Sequence, residues 1–133
     1  MATVIARRRS GYTHDIEIDT GHKLVADEPV DKGGNDQGPS PTRILAAALA
    51  SCTAITVEMY ADRKGWDVGD LKVEVDTTYE GPVPVRFEVT MHCNPELDEE
   101  QRERLRVIAG KCPVHKALAR ETGVEIVDCV VAG

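Results

Sequence analysis

Apolar positions recur along this chain with two periods, and the change between them lays out its elements. From Tyr12 to Asp19 the period is two: His14, Ile16 and Ile18 alternate with Asp15, Glu17 and Asp19, the pattern of a half-buried strand. Thr3 to Arg9 reads as a strand before it, ended by a turn at Ser10-Gly11. Asp19-Thr20-Gly21 turns the chain into a third strand, Lys23 to Ala26. Asp27 to Gly38, DEPVDKGGNDQG, is dense in Gly, Asp, Pro and Asn and predicts a loop, with its acids Asp27, Glu28, Asp31 and Asp36 just ahead of the next element. The period then changes. Pro41 to Arg63, PTRILAAALASCTAITVEMYADR, places Ile44, Ala48, Cys52, Ile55 and Met59 at helical spacing, and Leu45, Leu49, Thr53 and Val57 on another side. Ser40 suits the N-cap and Pro41 the first helical position. Gly65, after Arg63 and Lys64, predicts the stop. A helix apolar nearly all round is buried or spans a membrane. The fourteen uncharged residues from Ile44 to Val57 fall short of the roughly 20 that a bilayer needs, so a central buried helix is expected.

Asp70 to Tyr79 alternates again, Glu80 to Pro84 reads as a turn, and Val85 to Cys93 puts Val85, Phe87, Val89, Met91 and Cys93 on one face. Leu97 to Ala109 predicts a surface helix capped by Asp98 with Gln101 three residues on. Cys112 precedes Pro113, which opens a short helix to about Arg120, and Val124 to Val131 predicts a closing strand. The expectation is one α+β domain over residues 1–133: a three-stranded antiparallel N-terminal unit, a long central helix, two strands, helices and a final strand. One sheet covers only one side of such a helix, so a second copy is expected on the other.

Composition narrows the partners. The net charge of −7 argues against a nucleic-acid binder, and Arg7-Arg8-Arg9 is too small a basic cluster to reverse that. The N-terminus shows no apolar run of signal-peptide length, which makes a cytoplasmic location and no membrane partner the expectation. Four unevenly spaced cysteines in a reducing compartment predict free thiols, with any disulfide transient and functional.

Cysteine is therefore the candidate chemistry. Cys52, mid-helix, is either a small core residue or a reactive thiol, and reactivity requires a cation that favours thiolate. Arg43, nine residues away and about 13 Å along the axis, cannot supply it, whereas Arg7 or Arg9 from the N-terminal strands can. Cys112 at a helix N-cap has amides that favour thiolate, or is a structural cap. Cys93 and Cys129 read as core residues. Cys112-Pro113-Val114-His115 and His92-Cys93 make a weak metal signal, because structural zinc sites need four ligands in two close pairs. His14 and His22 read as strand and turn residues. No phosphate-binding glycine loop, H-E-x-x-H or G-x-S-x-G is present.

The run GPSPTRILAAALASCTAITVEMYADRKGW, followed by DEEQRERLRVIAGKCPVHKAL, resembles the OsmC/Ohr family, and the likeness extends over most of the chain, including DEPVDKGGNDQGPSP. The combination of A-S-C-T-A with a distant C-P-V-H is specific, and R-K-G-W after the helix is most similar to the OsmC-like branch. The resemblance implies an intertwined homodimer with two long central helices and active sites at the subunit interface. It implies a thiol-dependent peroxidase of stress protection that reduces organic hydroperoxides and, less well, hydrogen peroxide. Carried onto this sequence, Cys52 is the peroxidatic cysteine, Cys112 the resolving one, and Arg9, in Arg9-Ser10-Gly11, holds the thiolate, with Arg7 as the fallback. Cys52 would become a sulfenic acid, Cys112 would condense with it to a disulfide, and an external dithiol reductant would restore both, with no cofactor and no metal. Members of the family clamp the arginine with a glutamate near the helix start. Here Thr42 stands at that position beside Arg43, so either a loop acid such as Glu28 takes its place or the arginine is unclamped. Two other readings stay open: a non-catalytic dimer that binds an apolar ligand, and a redox sensor whose disulfide changes its shape.

Overall fold

The structure, a computed structural model, describes residues 2–121 and 123–132. Its elements run β1 (Val4–Ser10), β2 (Thr13–Ile18), β3 (Lys23–Ala26), a 3₁₀ turn (Val30–Lys32), α1 (Pro41–Lys64), β4 (Lys72–Glu80), β5 (Val83–His92), α2 (Glu99–Ala109) and α3 (Pro113–Leu118). The α+β order expected from the two periodicities is the order found from β1 through α3. Two compact units divide the chain: Met1–Ala47 with Thr77–Phe87, and Ala48–Asp76 with Glu88–Gly133.

The first unit holds an antiparallel sheet in the order β1-β2-β3, with Ala6 opposite Ile16, His14 opposite Ala26, and a bulge between Arg8 and Ser10. The Gly- and Asp-rich loop beyond β3 is built around one buried acid. Asp27 is only 2% exposed. Its carboxylate accepts the Thr13 hydroxyl at 2.6 Å and the main-chain N–H groups of Glu28 at 2.7 Å, Gln37 at 3.2 Å and Asn35 at 3.4 Å. The Thr13 bond first, and then the amides, hold this carboxyl below the usual carboxylate range. Two glycines let the backbone close on it: a Cβ on Gly34 would lie 1.9 Å from the Glu28 carbonyl oxygen, and one on Gly38 would lie 2.3 Å from that of Val25.

In the second unit Val57 and Ala61 of α1 form a core with Leu97 and with Leu105 of α2. Val57 is fully buried, which contributes roughly 1.5–3 kcal/mol. The buried positions of α1 are Leu49, Thr53, Val57 and Ala61, one stripe at four-residue spacing. Ile55 and Met59, off that stripe, stay 54% and 63% exposed. The helix ends where its sequence says it should: Gly65, at φ 71°, donates its N–H to the Asp62 carbonyl, and Trp66 donates to that of Ala61 at 2.9 Å, with Arg63 and Lys64 in the last turn. At 24 residues α1 outruns its uncharged stretch, and by length and composition it is long and apolar enough to cross a bilayer. α2 opens on a reciprocal cap in which the Asp98 carboxylate accepts the Gln101 amide at 2.7 Å and the Gln101 side chain accepts the Asp98 amide at 2.9 Å. Such a cap is worth about 1 kcal/mol.

Two expectations are corrected. The turn between β4 and β5 is shorter than Glu80 to Pro84, because both strands run in to Gly81-Pro82 and Pro84 is accommodated in a sheet of two strands, each of which has a free edge. Residues 124–131 form no strand. A strand persists only in a hydrogen-bonded ladder, and among the described residues none pairs with this segment, which leaves Val124, Ile126 and Val130 61%, 80% and 98% exposed. Cys129 is exposed for the same reason, not a core residue.

Asp27→Asn keeps the shape of the side chain but replaces its charged acceptor. It is expected to lower the thermal midpoint and speed amide exchange at Asn35 and Gln37. Because the folded-state pKa of Asp27 is depressed, the gap between wild type and variant should be full at neutral pH and close as pH falls through and below the ordinary carboxylate range. Equal midpoints at neutral pH would show that the carboxylate does not organise the loop.

Candidate active site

Cys52 sits one position before Thr53 on α1, at the shoulder of the buried stripe rather than in it. Thr53 is 1% exposed, whereas Cys52 is half-buried. The polypeptide returns to this point after α2. Lys111 and Cys112 donate their amides to the carbonyls of Ile108 and Ala109 at 2.9 and 3.3 Å, a tight turn that presents Cys112 as the N-cap of α3 with Pro113 at its first position. The Cys112 sulfur accepts the His115 main-chain N–H at 3.4 Å and is fully buried.

The two thiols are neighbours. Cys52 is near enough to Cys112 to act on its titration, and both are reduced. Burial pushes the Cys112 thiol above its ordinary pKa, and Cys52 pushes in the same direction. The amides of His115 and Val114 pull it down and do not prevail. Of the two readings left open for Cys112, a thiolate at the cap or a structural cap, desolvation favours the second. The pair comprises a buried sulfur that keeps its proton and a partner that solvent reaches.

In the first unit, Arg9 extends from β1 and its guanidinium binds Asp15 on β2, through Nε at 3.2 Å and also through Nη2. Arg7 pairs with Glu17 at 3.5 Å. Among the described residues, the carboxylate on Arg9 comes from the neighbouring strand, not from a loop acid or a residue of the helix start. Thr42 is occupied otherwise, its hydroxyl oxygen accepting the Tyr79 phenol at 3.1 Å. His14 and His22 bond locally, to the Tyr12 carbonyl and the Thr20 hydroxyl, each at 2.8 Å. Cys93 packs against the core of the second unit. Among the described residues no group of three or more His, Cys, Asp and Glu side chains is placed to hold a metal.

Two residues carry more than their sequence position suggested. Asp27 looked like one loop acid among four; the signal was its place just before Pro29, in a loop rich in the glycines that a tight wrap requires. His115 offers, in sequence, only half of a weak metal pair. Its Nδ1 is enclosed without a hydrogen-bond partner among the described residues.

The raised pKa of Cys112 links the site to stability. Below the ordinary thiol pKa of about 8.5 its contribution is complete, and as pH rises through that value toward the folded-state pKa the unfolded chain ionises first and the contribution is lost. Denaturant midpoints should therefore fall more between pH 7 and pH 10 for the wild type than for Cys112→Ala, and iodoacetamide should alkylate Cys52 well before Cys112. Parallel pH profiles, or alkylation of Cys112 first, would contradict the burial assigned to it.

The family model for OsmC-like proteins matches residues 33–127, which include both thiols. The fold is similar to that of an OsmC-like protein from Mycoplasma pneumoniae, at 16% identity over 90% of this chain and 87% of that one, with a TM-score of 0.77. It is similar to OhrB of Bacillus subtilis, an organic hydroperoxide resistance protein, at 24% identity over 94% and 93% of the two chains, with a TM-score of 0.58. It is also similar to the organic hydroperoxide resistance protein OsmC from Legionella pneumophila, at 24% identity over 87% and 88%, with a TM-score of 0.59. Comparison with functionally curated proteins gives no match. With the model covering well over half of its length, the chain belongs to the OsmC-like family.

Proposed function

We propose that this protein is a thiol-dependent peroxidase that reduces organic hydroperoxides through Cys52 and Cys112. The observation that carries the reading is the neighbouring pair of thiols in which Cys52 is half-buried and Cys112 is fully buried. Family membership and the hydroperoxide-resistance neighbours support it. A hydroperoxide reaches Cys52 first. The Cys52 thiolate attacks the outer peroxide oxygen, the O–O bond breaks, the alkoxide leaves and takes a proton to become the alcohol, and Cys52 is left as a sulfenic acid. Cys112, its neighbour, condenses with it to a disulfide and releases water. An external dithiol in the cytoplasm then returns both to thiols by exchange and is itself oxidised. Arg9 is the proposed cation for the thiolate, and Asp15 is the carboxylate that holds it, in the part that Thr42 leaves vacant.

Cumene or t-butyl hydroperoxide should be consumed catalytically with dithiothreitol, Cys52→Ser should fall to the uncatalysed background, and Cys112→Ser should accumulate a dimedone-trapped sulfenic acid. No consumption by the wild type defeats the reading. A single oxidation without turnover transfers the assignment to a redox sensor.

The working unit is proposed to be a homodimer. Ile55 and Met59 on α1 and the unpaired apolar segment 124–131 are covered, in this reading, by a second copy. Sedimentation should give a dimer that Met59→Glu shifts toward monomer. A monomeric wild type rules the dimer out, and flotation of the wild type with lipid vesicles assigns the face to a membrane instead.

A further inference from the structure

The scheme above leaves His115 unused. It is the third residue of α3, its main-chain N–H lies 3.4 Å from the Cys112 sulfur, and its Nδ1 is enclosed with no hydrogen-bond partner among the described residues. The enclosure is complete within one chain, so neither solvent nor a second copy reaches the nitrogen without movement. Buried polar atoms in folded proteins are nearly always paired, and leaving one unpaired destabilises the fold. Either the ring is present for packing alone, or its nitrogen is left open because a proton moves on it.

The chemistry of disulfide formation favours the second. Cys112 is buried and protonated, and it must shed that proton to attack the sulfenic acid. The sulfenic acid, in turn, must lose its hydroxyl as water. The groups that bear on the Cys112 thiol are the Cys52 sulfur and the amides of His115 and Val114. Amides donate and take no proton, and Cys52 is the electrophile in this step. An imidazole can both accept a proton and return it. Here it belongs to the residue whose amide already touches the sulfur.

Resting on the peroxidase reading, we propose that His115 relays the proton from Cys112 to the departing hydroxyl as the Cys52–Cys112 disulfide forms. The S–S bond forms as the S–O bond of the sulfenic acid breaks. The Cys112 sulfur is oxidised and the Cys52 sulfur reduced to the common disulfide level. The thiol proton passes to Nδ1 and from there to the hydroxide, which leaves as water. The only oxidant is the hydroperoxide that made the sulfenic acid.

His115→Asn sets an amide where Nδ1 lies, able to hydrogen-bond but unable to carry a proton. Each protein is mixed with one equivalent of cumene hydroperoxide, the Cys52 sulfenic acid is followed by dimedone trapping, and the disulfide is followed by mass. The sulfenic acid should form in the variant at the wild-type rate and persist about 10²-fold longer, while the thermal midpoint is unchanged or raised. In the wild type, disulfide formation should slow in heavy water. Resolution at the wild-type rate in His115→Asn overturns the relay, as does an equal slowing of sulfenic acid formation and resolution. If the variant does not fold, a wild-type resolution step indifferent to heavy water overturns it. Absence of any sulfenic acid in the wild type defeats the peroxidase reading itself, and the relay falls with it.

Discussion

A helix apolar on every side sets the terms for this chain, because one polypeptide of this length has too few elements to cover it. α1 resolves that by burying a single stripe, Leu49, Thr53, Val57 and Ala61, the last two against Leu97 and Leu105, and leaving Ile55 and Met59 outside. Every fourth residue lies on one line of a helix, so the stripe is also a ruler. Cys52, next to Thr53, falls at its border. A residue on the stripe would be sealed and one opposite would be fully open; the border gives a thiol anchored by packing that solvent still reaches.

The second thiol is set by a different device. Cys112 is brought to α1 by a stop at the end of α2, two tight hydrogen bonds and a proline, all local instructions. The environment into which they deliver it is not local. Helix caps favour anions, and the cap amides pull the Cys112 thiol toward thiolate. Desolvation outweighs the amides, so the two sulfurs of one pair differ in access, and the buried one holds its proton.

This divides what was legible in the sequence from what was not. Period, caps and turn residues are short-range signals, and α1 with its Gly65 stop, the Asp98–Gln101 cap and the first three strands follow from them directly. Long-range pairing is another matter. Nothing near Arg9 in sequence says that Asp15 of the next strand will hold it, and a position pattern for Thr42 or Glu28 pointed elsewhere. Asp27 was hidden because acids in a glycine-rich loop ordinarily face water; only the close approach required at Gly34 and Gly38 marks this loop as wound around a charge. The segment 124–131 carries a strand's composition without a ladder to join. Composition predicts an element's capacity for pairing, and pairing itself belongs to whatever lies alongside.

The unequal exposure of the two sulfurs also decides how the site would age. Beyond sulfenic acid lie the sulfinic and sulfonic states, which a thiol exchange does not reverse. With Cys112 sealed, a second molecule of oxidant meets only Cys52 of the two, so irreversible damage to the pair competes with resolution at one atom. In an inactivated population the extra oxygens of the pair should then sit on Cys52, with Cys112 still a free thiol.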